Sequence, residues 1–112
     1  MGSNVKTVVV IRRQDRIDYV INGICDYYKI QREDLQRRAR TPRKVKRKQV
    51  TVKMLRDVAD ISFKEIKNAL NNQSESQIWQ IYTNITEDIE TKCDATKAIR
   101  EEYQNVLKHL NL

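Results

Sequence analysis

The sequence predicts an all-α fold: a small helical bundle of about five to six helices containing a helix-turn-helix, preceded by a basic loop and a long helix. Three observations lead there. Only two glycines and one proline occur in 112 residues, so long stretches run without helix breakers. Apolar residues recur at three and four positions, the spacing of an amphipathic helix. Residues 62–85, SFKEIKNALNNQSESQIWQIYTNI, carry two helix starts separated by a short polar turn.

Residues 1–14 read as an arm ahead of a single domain over residues 15–112. Met1-Gly2-Ser3 reads as a leftover of expression cloning. Val5 to Ile11 is β-branched and is expected to be extended against the domain. From about Asp15 the pattern is helical, with Ile17, Val20, Ile21, Ile24, Cys25 and Tyr28 on one face. Gly23 inside that helix costs roughly 1 kcal/mol against Ala, so tertiary packing must hold it. A short helix follows over Arg32 to Arg38, with Glu33 and Asp34 in its first turn and Leu35 as its core contact.

Thr41-Pro42 marks a boundary, because the residue before proline disfavours the helical region. Residues 39–44 are therefore expected to form a basic loop. A long helix is expected from about Val45 to Asp60, with Val45, Val52, Leu55, Val58 and Ala59 inward. Ser62 and Glu65 form a capping box for the next helix, which buries Phe63, Ile66, Ala69 and Leu70. Asn71-Asn72-Gln73 breaks the pattern, since Asn tolerates turn conformations. Ser74 with Gln77 caps a second helix whose stripe is Ile78, Ile81, Tyr82, Ile85 and Ile89. Trp79 lies beside that stripe and is expected at the core edge. Asp94 is expected to cap a last helix with Ile99, Tyr103, Val106, Leu107 and Leu110 inward.

The net charge of +7 is unevenly placed. Residues 29–56 carry twelve basic and two acidic side chains, while residues 57–112 carry six basic and ten acidic. Eight cations and no acid fall within residues 37–48. Such a localised run is the footprint expected for a polyanion partner. Enzyme chemistry is not expected. His109 is the only histidine, no Cys/His cluster has zinc spacing, and Gly2 and Gly23 are the only glycines, so no phosphate-cradling loop exists. No metal and no cofactor is expected. No apolar run approaches the roughly 18 residues of a membrane span, nor is there a secretory signal. A cytoplasmic protein is expected, with Cys25 and Cys93 reduced and buried.

The order of elements resembles the C-terminal DNA-binding domain of the bacterial replication initiator DnaA, within the Trp repressor-like helix-turn-helix superfamily. The resemblance rests on Asp26-Tyr27-Tyr28-Lys29-Ile30, Glu33-Asp34-Leu35, Arg40, Gln49, Ser62-Phe63-Lys64-Glu65-Ile66 and Ile78, and spans roughly residues 15–110. It departs at the family's Arg-Asp-His-Thr-Thr-Val signature, which reads Gln73-Ser74-Glu75-Ser76-Gln77-Ile78 here. The preceding Gly-Gly is Asn71-Asn72, and the family's minor-groove arginine position is Lys46. The resemblance implies a free-standing DnaA-like domain without the ATPase, serving replication or transcription, monomeric on an asymmetric site.

The expected partner is duplex DNA. Gln73, Ser74, Glu75, Ser76, Gln77 and Gln80 are the major-groove candidates, with Ser74 positioned for backbone contact because it caps the helix. Glu75 also suits the positive end of the helix dipole. Arg40, Arg43, Lys44, Lys46, Arg47 and Lys48 are the phosphate or minor-groove candidates. The main rival is a protein-interaction module on the same fold, using Trp79 and the acidic C-terminal half against a replication or transcription protein. RNA binding through the basic run is a third reading.

Overall fold

The computed structural model describes residues 13–71 and 73–111. The Val-rich arm lies outside them. The described residues form six α-helices and no strand, as the periodicity predicts: α1 Arg13–Tyr28, α2 Arg32–Gln36, α3 Pro42–Asp57, α4 Phe63–Leu70, α5 Glu75–Glu90 and α6 Lys97–His109. Helix α3 is the axle of the bundle and touches α1, α4, α5 and α6. Val50, Val52, Met54 and Leu55 on it are wholly buried.

Helix α3 starts three residues earlier than its sequence pattern implies. Thr41 takes the extended N-cap conformation, and its hydroxyl accepts from the Lys44 N–H at 3.2 Å. Pro42 sits at the first helical position, where its missing N–H is no loss and its fixed φ is already helical. Arg43 and Lys44 therefore stand on the first turn of α3, and the loop shrinks to the residues between α2 and Thr41. Proline marked the boundary correctly, but as a start. Val45, in the first turn of α3, is 42% exposed, contrary to its expected inward position. The helix also ends earlier, at Asp57; the N–H groups of Val58 and Ala59 both reach the Met54 carbonyl, and Asp60 turns left-handed at φ 56°.

Helix α1 buries Ile17, Val20, Ile21 and Ile24. Gly23 has a specific reason. A Cβ there would lie 2.6 Å from Leu110 Cγ, so the absent side chain lets the end of α6 close on α1. Tyr19 donates its hydroxyl to the Leu110 carbonyl at the same junction, and Tyr28 donates to Glu102 further along the same pair of helices. Helix α6 buries Ile99, Tyr103 and Val106, and Leu110 just past its end is buried too. Its expected cap, Asp94, lies instead in a 3-10 turn, Asp94–Thr96, ahead of the helix. Thr96 is the residue that precedes α6. The turn is fastened by the Thr96 hydroxyl, which donates to the Thr91 carbonyl at 2.6 Å, and by Arg100, which donates to the Thr91 and Cys93 carbonyls.

Candidate nucleic-acid interface

Helices α4 and α5 form the helix-turn-helix from two reciprocal caps. Ser62 and Glu65 satisfy each other's backbone N–H groups at the start of α4. Ser74 and Gln77 do the same at the start of α5, at 2.8 and 3.2 Å. Between them Asn71 ends α4 in the left-handed conformation, φ 58°, one that Asn tolerates better than other non-glycine residues. The fold of the pair is locked from below. Ile66, Leu70, Ile78 and Ile85 are buried, and Phe63 meets Tyr82 edge-on at 5.5 Å. On the far side Tyr82 donates to Asp57 at 2.8 Å, and Lys53 reaches Thr86, tying α5 to α3.

The N-terminal turns of α5 are open. Glu75, Ser76, Gln77 and Gln80 are exposed. Ser74 has its hydroxyl engaged by the cap, as its position implied. Gln77 uses its carbonyl oxygen in the same cap, which leaves its amide nitrogen outside the cap. Gln80 leans along the helix onto Asn84 at 3.0 Å. Gln73 is half-buried, with its side-chain oxygen enclosed and unbonded. An open groove runs between α4 and the start of α5, lined by Lys67, Asn68, Asn71, Gln73, Ser74 and Gln77. Lys67 and Asn68 were not among the sequence candidates; the available signal was a polar pair off the Phe63, Ile66, Ala69 and Leu70 face.

The cationic run lies beside this unit. The Gln36 amide donates to the Ala69 carbonyl at 3.1 Å, joining the C-terminal end of α2 to that of α4. One residue after Gln36 the arginine run begins, and two residues after Ala69 the helix-turn-helix turn begins. The two leave the bundle at neighbouring points. Arg40, Arg43 and Lys44 are exposed, and Lys46 and Arg47 are half-buried. None of these five forms an ion pair with any described residue.

Lys48 is the exception and corrects its assignment as a phosphate contact. It is 5% exposed, and its Nζ donates to the Leu35 carbonyl at 2.8 Å and the Arg37 carbonyl at 3.1 Å. Burial first, and then the Arg47 charge, push its ammonium down to about 8. A lysine in an unbroken basic run carries no sequence mark that it points inward.

Trp79 is also corrected. It is 52% exposed on α5 rather than packed at the core edge, next to Phe63, Glu75 and Ser76. Both cysteines are free. Cys25 is half-buried, with its thiol pushed up by burial, whereas Cys93 is exposed rather than buried, and the Thr96 hydroxyl beside it lowers its thiol. His109 is partly exposed, 2.8 Å from Asp26 and edge-on to Tyr27, as a packed surface residue. Among the described residues no group of three or more His, Cys, Asp or Glu is placed to hold a metal. None of their helices is long and apolar enough to cross a membrane.

The architecture is thus an all-helical bundle with an embedded helix-turn-helix. No family model, curated protein or solved structure matches the chain.

Proposed function

We propose that this chain binds duplex DNA, with the start of α5 in the major groove and the α2–α3 cations on the flanking phosphates. One observation carries the reading: five cations without ion-pair partners among the described residues adjoin an open helix-turn-helix. Unpaired like charges repel one another, and an incoming polyanion relieves that repulsion. Ser76, Gln77 and Gln80 are the side chains for base edges, with Gln suited to adenine; Glu75 can accept from cytosine. Gln73 and Ser74 serve the turn and its backbone contacts. Arg40, Arg43, Lys44, Lys46 and Arg47 serve phosphates or the minor groove. With five phosphates neutralised, log affinity falls against log salt with a slope of about −4 to −5. The finer reading is a free-standing DnaA-like factor in replication or transcription, monomeric and cytoplasmic, with no catalytic role.

The test is selection from a random duplex pool at near-physiological salt. Enrichment of one short motif supports sequence-specific binding. Salt-sensitive retention without enrichment leaves a non-specific binder, and absence of retention sinks the reading. A second reading has its own support in Trp79: a half-exposed indole on α5 suits a protein-interaction module. Binding of a replication or transcription protein that persists at high salt and is lost in Trp79→Ala favours that reading.

A further inference from the structure

Lys48 closes the cationic run yet contributes almost nothing to its surface. Helix α2 is five residues long, and its last carbonyls have no intrahelical partners. The Lys48 ammonium supplies them, reaching across from α3 to Leu35 and Arg37. Between those two residues Gln36 reaches the other way, to Ala69 on α4. The result is a continuous strut: α3 ammonium, α2 terminus, α4 terminus. Its three members sit where the cationic row and the helix-turn-helix must keep a fixed spacing to meet one duplex.

We propose that Lys48 is a positioning residue: its buried ammonium holds the α2–α3 cations at a fixed offset from the helix-turn-helix and makes no phosphate contact. The proposal rests on the duplex-DNA reading above. Its chemistry explains the choice of residue. A hydrophobic side chain would leave two carbonyls unbonded. An acidic one would meet them with like charge. A long, single-centre cation can bridge both and also suits the negative end of α2.

The test compares wild type, Lys48→Met and Lys48→Arg, with Arg47→Ala as a surface control, all in the full chain. Lys48→Met keeps the length and removes the donor. It is expected to lower duplex affinity by roughly tenfold, the scale of an unsatisfied buried acceptor pair. Its salt slope stays at the wild-type value, whereas Arg47→Ala reduces the slope by about 0.9, one phosphate contact. Lys48→Arg, which restores donors to both carbonyls, recovers most of the affinity. Hydrogen exchange gives a readout without DNA: amides of residues 36–41 and 66–71 exchange faster in Lys48→Met, while α1 and α6 keep their protection. A slope reduced by about one in Lys48→Met would make Lys48 a phosphate contact and overturn the proposal. Unchanged affinity, or unchanged exchange at both segments, would overturn it as well. Should the wild type retain no duplex, the DNA reading is what falls, and the exchange comparison still decides whether the strut exists.

Discussion

The two long sides of this bundle treat charge in opposite ways. Along the α1–α6 side, polar groups find partners: His109 with Asp26 at 2.8 Å, Tyr28 with Glu102, Tyr19 with the Leu110 carbonyl, and Asp18 of α1 with Arg32 across on α2 at 2.7 Å. Along the α2–α3 side, Arg40, Arg43, Lys44, Lys46 and Arg47 stand without an ion pair to any described residue, Lys48 is turned inward to bond carbonyls, and Arg37 lies 3.7 Å from Asp34. Paired charges hold elements together without drawing on anything outside. Unpaired charges add no ion pair to the isolated fold, and we propose that they serve a partner. The contrast separates the side that maintains the bundle from the side we assign to a ligand.

The sharpest way to break the contrast is to remove the cations. Replacing Arg43, Lys44, Lys46 and Arg47 together with Ala is expected to weaken duplex binding by roughly a hundredfold or more and to flatten the salt slope by about 3.6. The melting temperature should hold or rise, because no ion pair among the described residues is lost. A fall in binding with an unchanged slope would move the ligand off this face.

A pH titration of stability sharpens the place of Lys48 in the scheme. Its ammonium lies near 8 in the fold, against 10.5 in the unfolded chain. Between those values the unfolded chain holds more protons, so raising the pH favours the fold. Thermal melts of wild type and Lys48→Met should therefore diverge in that window, wild type gaining up to roughly 3 kcal/mol relative to the variant. Parallel curves would show that the amine is not buried in solution.

The α1–α6 side should respond in stability alone. Gly23→Ala gains helix propensity of about 1 kcal/mol but forces Cβ into Leu110, and the net expectation is a loss of roughly 1–2 kcal/mol. Chemical denaturation measures it, and duplex affinity should not move. The smallest effect belongs to Asp18→Asn. The Arg32 hydrogen bond, then that of Gln14, holds the Asp18 carboxyl below its usual 3.8. A depressed carboxylate stabilises above its ordinary value and loses that contribution as pH falls through the folded one. With both side chains more than a third exposed, the loss should stay below about 1 kcal/mol and vanish in acid, as melts of the two proteins across pH would show.

Much of the fold was legible because its signals are local. The capping boxes at Ser62 and Ser74, the Asn71 turn and the stripes of α1, α5 and α6 all depend on neighbours within four residues. The candidate face was legible in part, since a run of eight cations announces itself. Local signals misled where two rules compete at one residue. Pro42 can close a preceding helix or open the next one, and the Thr41 cap settled the matter in favour of opening. Asp94 offered a good cap chemistry, but Thr96 and Arg100 closed the turn first.

By itself, then, the sequence determined that this chain is helical, where most of its helices begin, and that its positive charge is gathered in one segment, because propensity, capping and charge are properties of short stretches. Only the tertiary structure decided which cation faces inward, that Trp79 faces outward, and why Gly23 is a glycine. Each of those turns on contacts outside its own helix: Leu35 and Arg37 for Lys48, the mutual fit of α4 and α5 for Trp79, and Leu110 for Gly23. Burial is a relation between elements, and no stretch of sequence contains both of its partners.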